Sequence, residues 1–287
     1  MGKVFLILAA ILLLLLVICA IIDTNRFVTV TYRFQSGTCK RPLRCVFLSD
    51  LHDKQYGKKN EKLFAAIHNA APDLILIGGD MMQARPGVDV TRTLEFVKNL
   101  RENYPVYYAT GNHEHRLHLY PERYGDAGER LEAGLKEMGV VRMVNDTIHL
   151  EDYGVSLSAV QITRFYYRRG RLQHLDLEKM RSWLPSDETL DFKILLAHNP
   201  DYFETYAAWG ADLTLAGHIH GGMVRLPFLG GVVSPRVAFF PKYDGGMFRE
   251  YGKSMIVSRG LGAHTIPLRL FNPGELVVIE VTPEKII

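Results

Sequence analysis

What most constrains the fold of this chain is a repeated local design, a short aliphatic run that ends abruptly on polar side chains. Val106-Tyr107-Tyr108-Ala109 reads as a strand covered on both faces, and Thr110-Gly111 breaks it into a loop carrying Asn112-His113-Glu114. Leu43 to Ser49 delivers Asp50-Leu51-His52, and Leu74-Ile75-Leu76-Ile77 passes through Gly78-Gly79 to Asp80. Phe192 to Ala197 ends in His198-Asn199-Pro200, and Ala211 to Ala216 ends in Gly217-His218-Ile219-His220-Gly221-Gly222. Continuous apolar strands imply an α/β fold, and open α/β sheets place their sites at the carboxyl ends of strands.

Each cluster has a plainer alternative. A Gly-Asn turn followed by a chance histidine is common, Asp80 could be an ordinary turn aspartate, and Asp50 could cap the helix expected at Asn60 to Ala71. That last reading fits poorly, because a cap adjoins its helix and the gap here is about ten residues. In an extended segment positions i and i+2 project to one side, so Asp50 and His52 would point together. His218 and His220, also at i and i+2 in a glycine-framed loop, are hard to explain as core packing.

Asp50, His52, Asp80, Asn112, His198, His218 and His220 make an oxygen and nitrogen ligand set without a thiolate. It suits manganese, iron or zinc and disfavours a structural zinc site built on cysteine. Seven ligands exceed what one ion takes while leaving room for substrate, so two divalent ions sharing one carboxylate use them better. His113 can move a proton near neutral pH.

Between these runs, helical spacing predicts helices at Thr91 to Asn103 and around Leu131, Leu135 and Met138, and another from an Asp201 N-cap to Trp209. Short strands are expected at Val28 to Phe34, Val140 to Val144, Thr147 to Leu150 and Val155 to Val160. Arg164-Phe165-Tyr166-Tyr167-Arg168-Arg169 is a basic aromatic patch that suits lipid headgroups or a phosphorylated substrate, or else a solvated loop. A formal charge of +3 is too mild to suggest a nucleic-acid binder.

Val4 to Ile22 is 19 residues without a charge or a hydroxyl, which as a helix spans roughly 28 Å and fits a bilayer. The run exceeds a usual signal-peptide core and lacks a small-x-small cleavage site, favouring an uncleaved transmembrane helix after a head of residues 1–3. Lys3 on one side and Asp23, Arg26 and Arg33 on the other leave the charge difference too small to decide orientation. A short basic head before a long domain leans toward an external or periplasmic site. Cys39 and Cys45 could then pair, or Cys45 could be a buried thiol.

The order Asp-x-His, Gly-Asp, Gly-Asn-His-Glu, a later single His, and Gly-His-x-His resembles the calcineurin-like metallophosphoesterases, over about residues 43 to 282. Membrane-anchored bacterial members look closest, since Val224-Arg225-Leu226-Pro227 and Ser258-Arg259-Gly260-Leu261-Gly262 echo their carboxy-terminal segment. The resemblance implies a four-layer α-β-β-α sandwich of two mixed sheets in residues 43–287, behind the anchor and a segment 23–42 holding the first strand. It implies that Asp50, His52 and His220 hold one ion, that Asn112, His198 and His218 hold the other, and that Asp80 bridges. His113 as imidazolium would protonate the leaving alkoxide, with Glu114 or a backbone carbonyl fixing its tautomer.

The implied activity is hydrolysis of a phosphodiester or pyrophosphate by metal-activated hydroxide. The anchor suggests a lipid-linked substrate, as in similar anchored enzymes that cleave UDP-2,3-diacylglucosamine. The alternatives are a broad phosphodiesterase acting on wall or nucleotide fragments, or a metal-binding scaffold without catalysis, against which the presence of His113 and every ligand argues. Met223 stands where many relatives carry glutamine, and Asn272-Pro273-Gly274-Glu275 replaces Pro-Pro-Glu. Neither change touches a ligand; they bear on substrate contacts and loop shape.

Overall fold

The apolar strands of the sequence assemble into two six-stranded sheets. A computed structural model describes residues 1–168, 170, 172–222, 224–226, 228–233, 239–263 and 268–284. The first sheet runs Phe27–Ser36, Gly274–Pro283, Leu43–Leu48, Leu74–Ile77, Val106–Ala109 and Val141–Met143 in spatial order. Its pairings are parallel except where Gly274–Pro283 meets Leu43–Leu48. The second runs Gly246–Glu250, Lys253–Val257, Leu213–Ala216, Phe192–Leu196, Val155–Ala159 and Asp146–Leu150. Its outermost pairs are antiparallel and its inner pairs parallel.

Strand alternation explains the layering. Leu43, Cys45 and Phe47 point into a core shared with Leu157, Ile194, Leu196 and Leu215 of the second sheet. Their neighbours Val46 and Leu48 face the opposite way, onto Leu63, Phe96, Leu100 and Leu131 of the flanking helices. Helices Leu177–Trp183 and Phe203–Trp209 cover the other face of the second sheet through Met180, Tyr206 and Trp209. Four layers result, α-β-β-α, as the motifs implied. The first strand, Phe27–Ser36, pairs along its whole length with Gly274–Pro283.

Some local expectations change. Asn112 begins a helix, Asn112–Leu119, rather than a loop, so His113 and Glu114 ride on its first turn. The cap before the Trp209 helix is Asn199, whose side-chain oxygen accepts from the Asp201 N–H at 3.1 Å, and a 3-10 turn Pro200–Tyr202 precedes Phe203–Trp209. Proline supplies no N–H at the first position, which shifts the cap to the residue before it. Cys39 and Cys45 are both free thiols, and Cys45 is buried with its pKa raised by desolvation and by nearby Asp73.

The amino-terminal helix Gly2–Asn25 is longer than its apolar stretch and stands away from the sandwich, with Phe5 and Leu13 more than half exposed. It is long and apolar enough to cross a membrane. Its last turn is docked to the sandwich: the buried Asp23 carboxylate accepts from the Asn272 N–H at 3.1 Å and pairs with Arg26. The Thr24 hydroxyl accepts from the Arg269 N–H at 3.1 Å.

Candidate metal centre

Strands from both sheets end on the same rim, and their loops interlock through backbone hydrogen bonds. Asp50 N–H donates to Gly79 O at 3.0 Å, His52 N–H to Asp80 O at 3.1 Å, and Gly217 N–H to His198 O at 3.0 Å. Two glycines make the close approach possible. A Cβ on Gly79, at φ +92°, would lie 2.0 Å from Gly111 N, and one on Gly217 would lie 2.1 Å from an Asp50 carboxylate oxygen.

Asp50 and His52 do not converge by strand alternation, because the strand stops at Leu48. Both adopt left-handed backbone, at φ 54° and 47°, as do Asp80 at 56°, His218 at 69° and His220 at 54°. Such conformations cost of order 1–3 kcal/mol each for a residue with a Cβ and persist where surrounding structure over-determines them. Left-handed non-glycine residues also occur elsewhere, Lys59, Ala71 and Asn145 among them, but here five of them share one rim.

The side chains gather into overlapping groups. Asp50, His52 and His220 have ligand atoms within 4.8 Å of one another, as do Asp80, His198 and His218, and His52, Asp80 and His113. Asp80 joins the sides: its Oδ2 lies 3.2 Å from His198 Nε2 and 3.9 Å from the Nε2 atoms of both His52 and His113. Its Oδ1 accepts from His113 N–H at 2.7 Å. Asp50 Oδ1 is 3.3 Å from His220 Nε2, and both Asp50 oxygens receive the His218 N–H.

Burial alone would push Asp80 up, but His198, His113 and His52 hold it well below the usual carboxylate range. Burial likewise disfavours the His198 cation, yet Asp80 outweighs it and lifts His198 to about 10. Asp80 thus demands positive charge, which facing ring nitrogens meet as protons or by yielding lone pairs to a cation.

Ring tautomers separate two kinds of histidine. His198 Nδ1 bonds the Gly78 carbonyl at 2.8 Å and His220 Nδ1 bonds the Gly262 carbonyl at 3.2 Å, so each must donate there and turn its Nε2 lone pair inward. His113 is the reverse. Its Nδ1 accepts from the Ala84 N–H at 2.8 Å, which assigns the neutral ring's proton to Nε2. This adds an orienting group to the expected Glu114 or carbonyl, the Ala84 N–H. Glu114 is spent otherwise: fully buried, it accepts from the Asp80, Met81 and Gly111 N–H groups and from the Tyr108 hydroxyl. Burial and the nearby Asp80 charge raise its pKa to about 7.

The donor set fits a pair of divalent cations. Among the described residues, the buried Asn112 side-chain oxygen meets no hydrogen-bond donor, an arrangement costly in itself and relieved by a hard cation. The ligand softness, carboxylate oxygens with imidazoles, matches borderline ions.

Other residues reach the rim without a motif to announce them. Tyr167, from the basic aromatic patch, packs edge-on to His218 with ring centres 5.1 Å apart, while Arg164, Phe165 and Arg168 stay exposed and Arg169 lies outside the described residues. Its aromatic neighbours were the available signal. Asn272 does touch a motif residue, donating from Nδ2 to the His220 carbonyl at 2.8 Å, and buried Glu275 accepts from the Arg259 N–H. Met223 lies outside the described residues.

An uncharacterized metallophosphoesterase of Campylobacter jejuni is 28% identical over 252 residues, covering 86% of this chain and 61% of that protein. The chain therefore spans about three fifths of that relative's length. Phosphodiesterase YaeI of Escherichia coli is 25% identical, covering 83% of this chain and 82% of that protein. The solved 5'-nucleotidase precursor of Thermus thermophilus aligns at 15% identity with a TM-score of 0.41, over 75% of this chain and 48% of that one. The family model for calcineurin-like phosphoesterase matches residues 43–222, which span every clustered carboxylate and imidazole described above, and the chain belongs to that family.

Proposed function

We propose that this chain is a membrane-anchored phosphoester hydrolase that works with two divalent ions. Asp50, His52 and His220 would hold one ion and Asn112, His198 and His218 the other, with Asp80 between them. Ions bound there would supply charge to neutralise a phosphate anion and to acidify water. The observation that carries the reading is the position of Asp80 Oδ2, which faces His52 from one group and His198 from the other.

His113 contributes differently from the ligands. From its Nε2–H it donates toward oxygen that gains charge as the ester bond breaks, a role that a preorganised donor plays without reorganisation. The Ala84 N–H keeps that proton on the correct nitrogen. Glu114 acts through the backbone, holding the Asp80 and Gly111 loops against each other.

The helix Gly2–Asn25 serves as the anchor, with the sandwich on the external side, and the substrate is a lipid-linked phosphodiester or pyrophosphate such as UDP-2,3-diacylglucosamine. The Escherichia coli relative's description as a phosphodiesterase supports a second reading, broad action on wall or nucleotide fragments. Full-length protein in detergent, assayed with manganese, zinc and iron on bis-p-nitrophenyl phosphate, tests the hydrolase; no turnover with any metal overturns it. Product analysis after incubation with membrane lipid extract and with nucleotide fragments separates the two substrates.

A further inference from the structure

Away from the helix, six exposed apolar side chains fall in two separate stretches of the chain. Phe228, Leu229, Phe239 and Phe240 are 107%, 64%, 68% and 57% exposed, and Leu268 and Phe271 are 41% and 42% exposed. Hydrogen bonds join the two stretches. Arg225 N–H donates to Leu270 O at 3.0 Å, Val232 N–H to Val224 O at 2.8 Å, and Phe240 N–H to Val232 O at 2.9 Å, while Val233 bridges Phe239. The joined surface reaches the end of the apolar helix, because Arg269 and Asn272 bond Thr24 and Asp23.

From this continuity we infer that Phe228, Leu229, Phe239 and Phe240, with Leu268 and Phe271, form a second membrane contact seated in the lipid interface around the helix exit. The inference rests on the anchor reading. Asp23 and Arg26 mark where the apolar span ends, so backbone bonded to them lies at headgroup depth. Side chains on that backbone meet lipid, and exposed aromatic and aliphatic groups gain there what water denies them. Among the described residues, Arg225 pairs with Asp244 at 3.0 Å and Lys242 with Glu250 at 2.6 Å, so neither cation calls for anionic lipid. The same segment also reaches the site, since the Arg225 guanidinium donates to Gly221 O at 3.0 Å, one residue beyond His220. The contact therefore holds the His220 loop next to the bilayer, where the phosphoester of an amphiphile lies.

Full-length chains carrying a single added reporter, Phe228→Trp, Leu12→Trp or Leu190→Trp, are reconstituted in phosphatidylcholine vesicles, and the parent's emission from Trp183 and Trp209 is subtracted. Leu190 is exposed just before the strand Phe192–Leu196, at the end away from His198, and reports bulk water. The expected result is that brominated phosphatidylcholine quenches Phe228→Trp, more strongly with bromine at shallow acyl positions than deep ones, and leaves Leu190→Trp bright. Quenching of Leu12→Trp alone, with Phe228→Trp open to iodide, overturns the contact while the anchor stands. Quenching of neither removes the anchor reading and the inference with it. Phe228→Trp shielded from iodide yet untouched by brominated lipid overturns the lipid assignment in favour of a protein partner.

Discussion

Two buried ionic side chains of opposite sign, Glu114 and Arg269, brace opposite sides of the same site. Glu114 is fully buried and collects backbone N–H groups from Asp80, Met81 and Gly111. Arg269, 2% exposed, gives its guanidinium to the carbonyls of Arg259, Gly260, Gly262 and Asn272. The first side carries Asp80 and Asn112. The second carries Asp50 and His220: Gly262 O also receives His220 Nδ1, and a Cβ on Gly260 would come within 2.7 Å of Asp50 Cβ. Both braces spend their charge on backbone groups of tight loops rather than on a counter-ion, which is how left-handed loops are kept in one conformation.

The comparison can be broken most severely at the residue both sides share. Asp80→Ala is expected to release both ions and reduce turnover to background; elemental analysis finding full occupancy would contradict the shared carboxylate. His113→Ala should keep both ions and lose ~10²- to 10³-fold in kcat on an ester with a poor leaving group, the scale of one preorganised donor. Unchanged kcat removes His113 from the chemistry.

Smaller effects sharpen the contrast between braces. Glu114→Gln puts an amide N–H against backbone donors, costing about 1–3 kcal/mol in denaturant unfolding. It should also weaken the ion beside Asn112 first, by ~10- to 100-fold, as supporting groups of metal ligands do. Arg269→Lys keeps the charge but loses the fork. It should weaken the ion beside His220 by about 10-fold, the low end for such supporting groups. Calorimetric metal titration of the two variants reads both; if each variant drains both ions together, the sides are not braced separately.

Much of this is legible in the order of the residues. Apolar runs ending on Asp50, Asp80, Asn112, His198 and His218 announce strands delivering ligands to one rim, because strand burial and glycine breaks are local properties of sequence. Glu114 is visible beside its motif, although its partners are not. Arg269 carries no local signal, since nothing about an arginine late in the chain says that four carbonyls will surround it. The cap at Asn199, the helix beginning at Asn112 and the left-handed turns at Asp50 and His52 depend on contacts between loops.

The amino-acid sequence by itself determined the α/β class, the order of the clusters, the apolar helix and the chemical softness of the donor set. All follow from side-chain type and short spacing. Only the tertiary structure decided which ring nitrogen of His113 meets the Ala84 N–H, and that the helix end is bonded to the loop behind His220. Those depend on backbone N–H and carbonyl groups, which nearly every residue carries alike and which acquire direction only once the chain is folded.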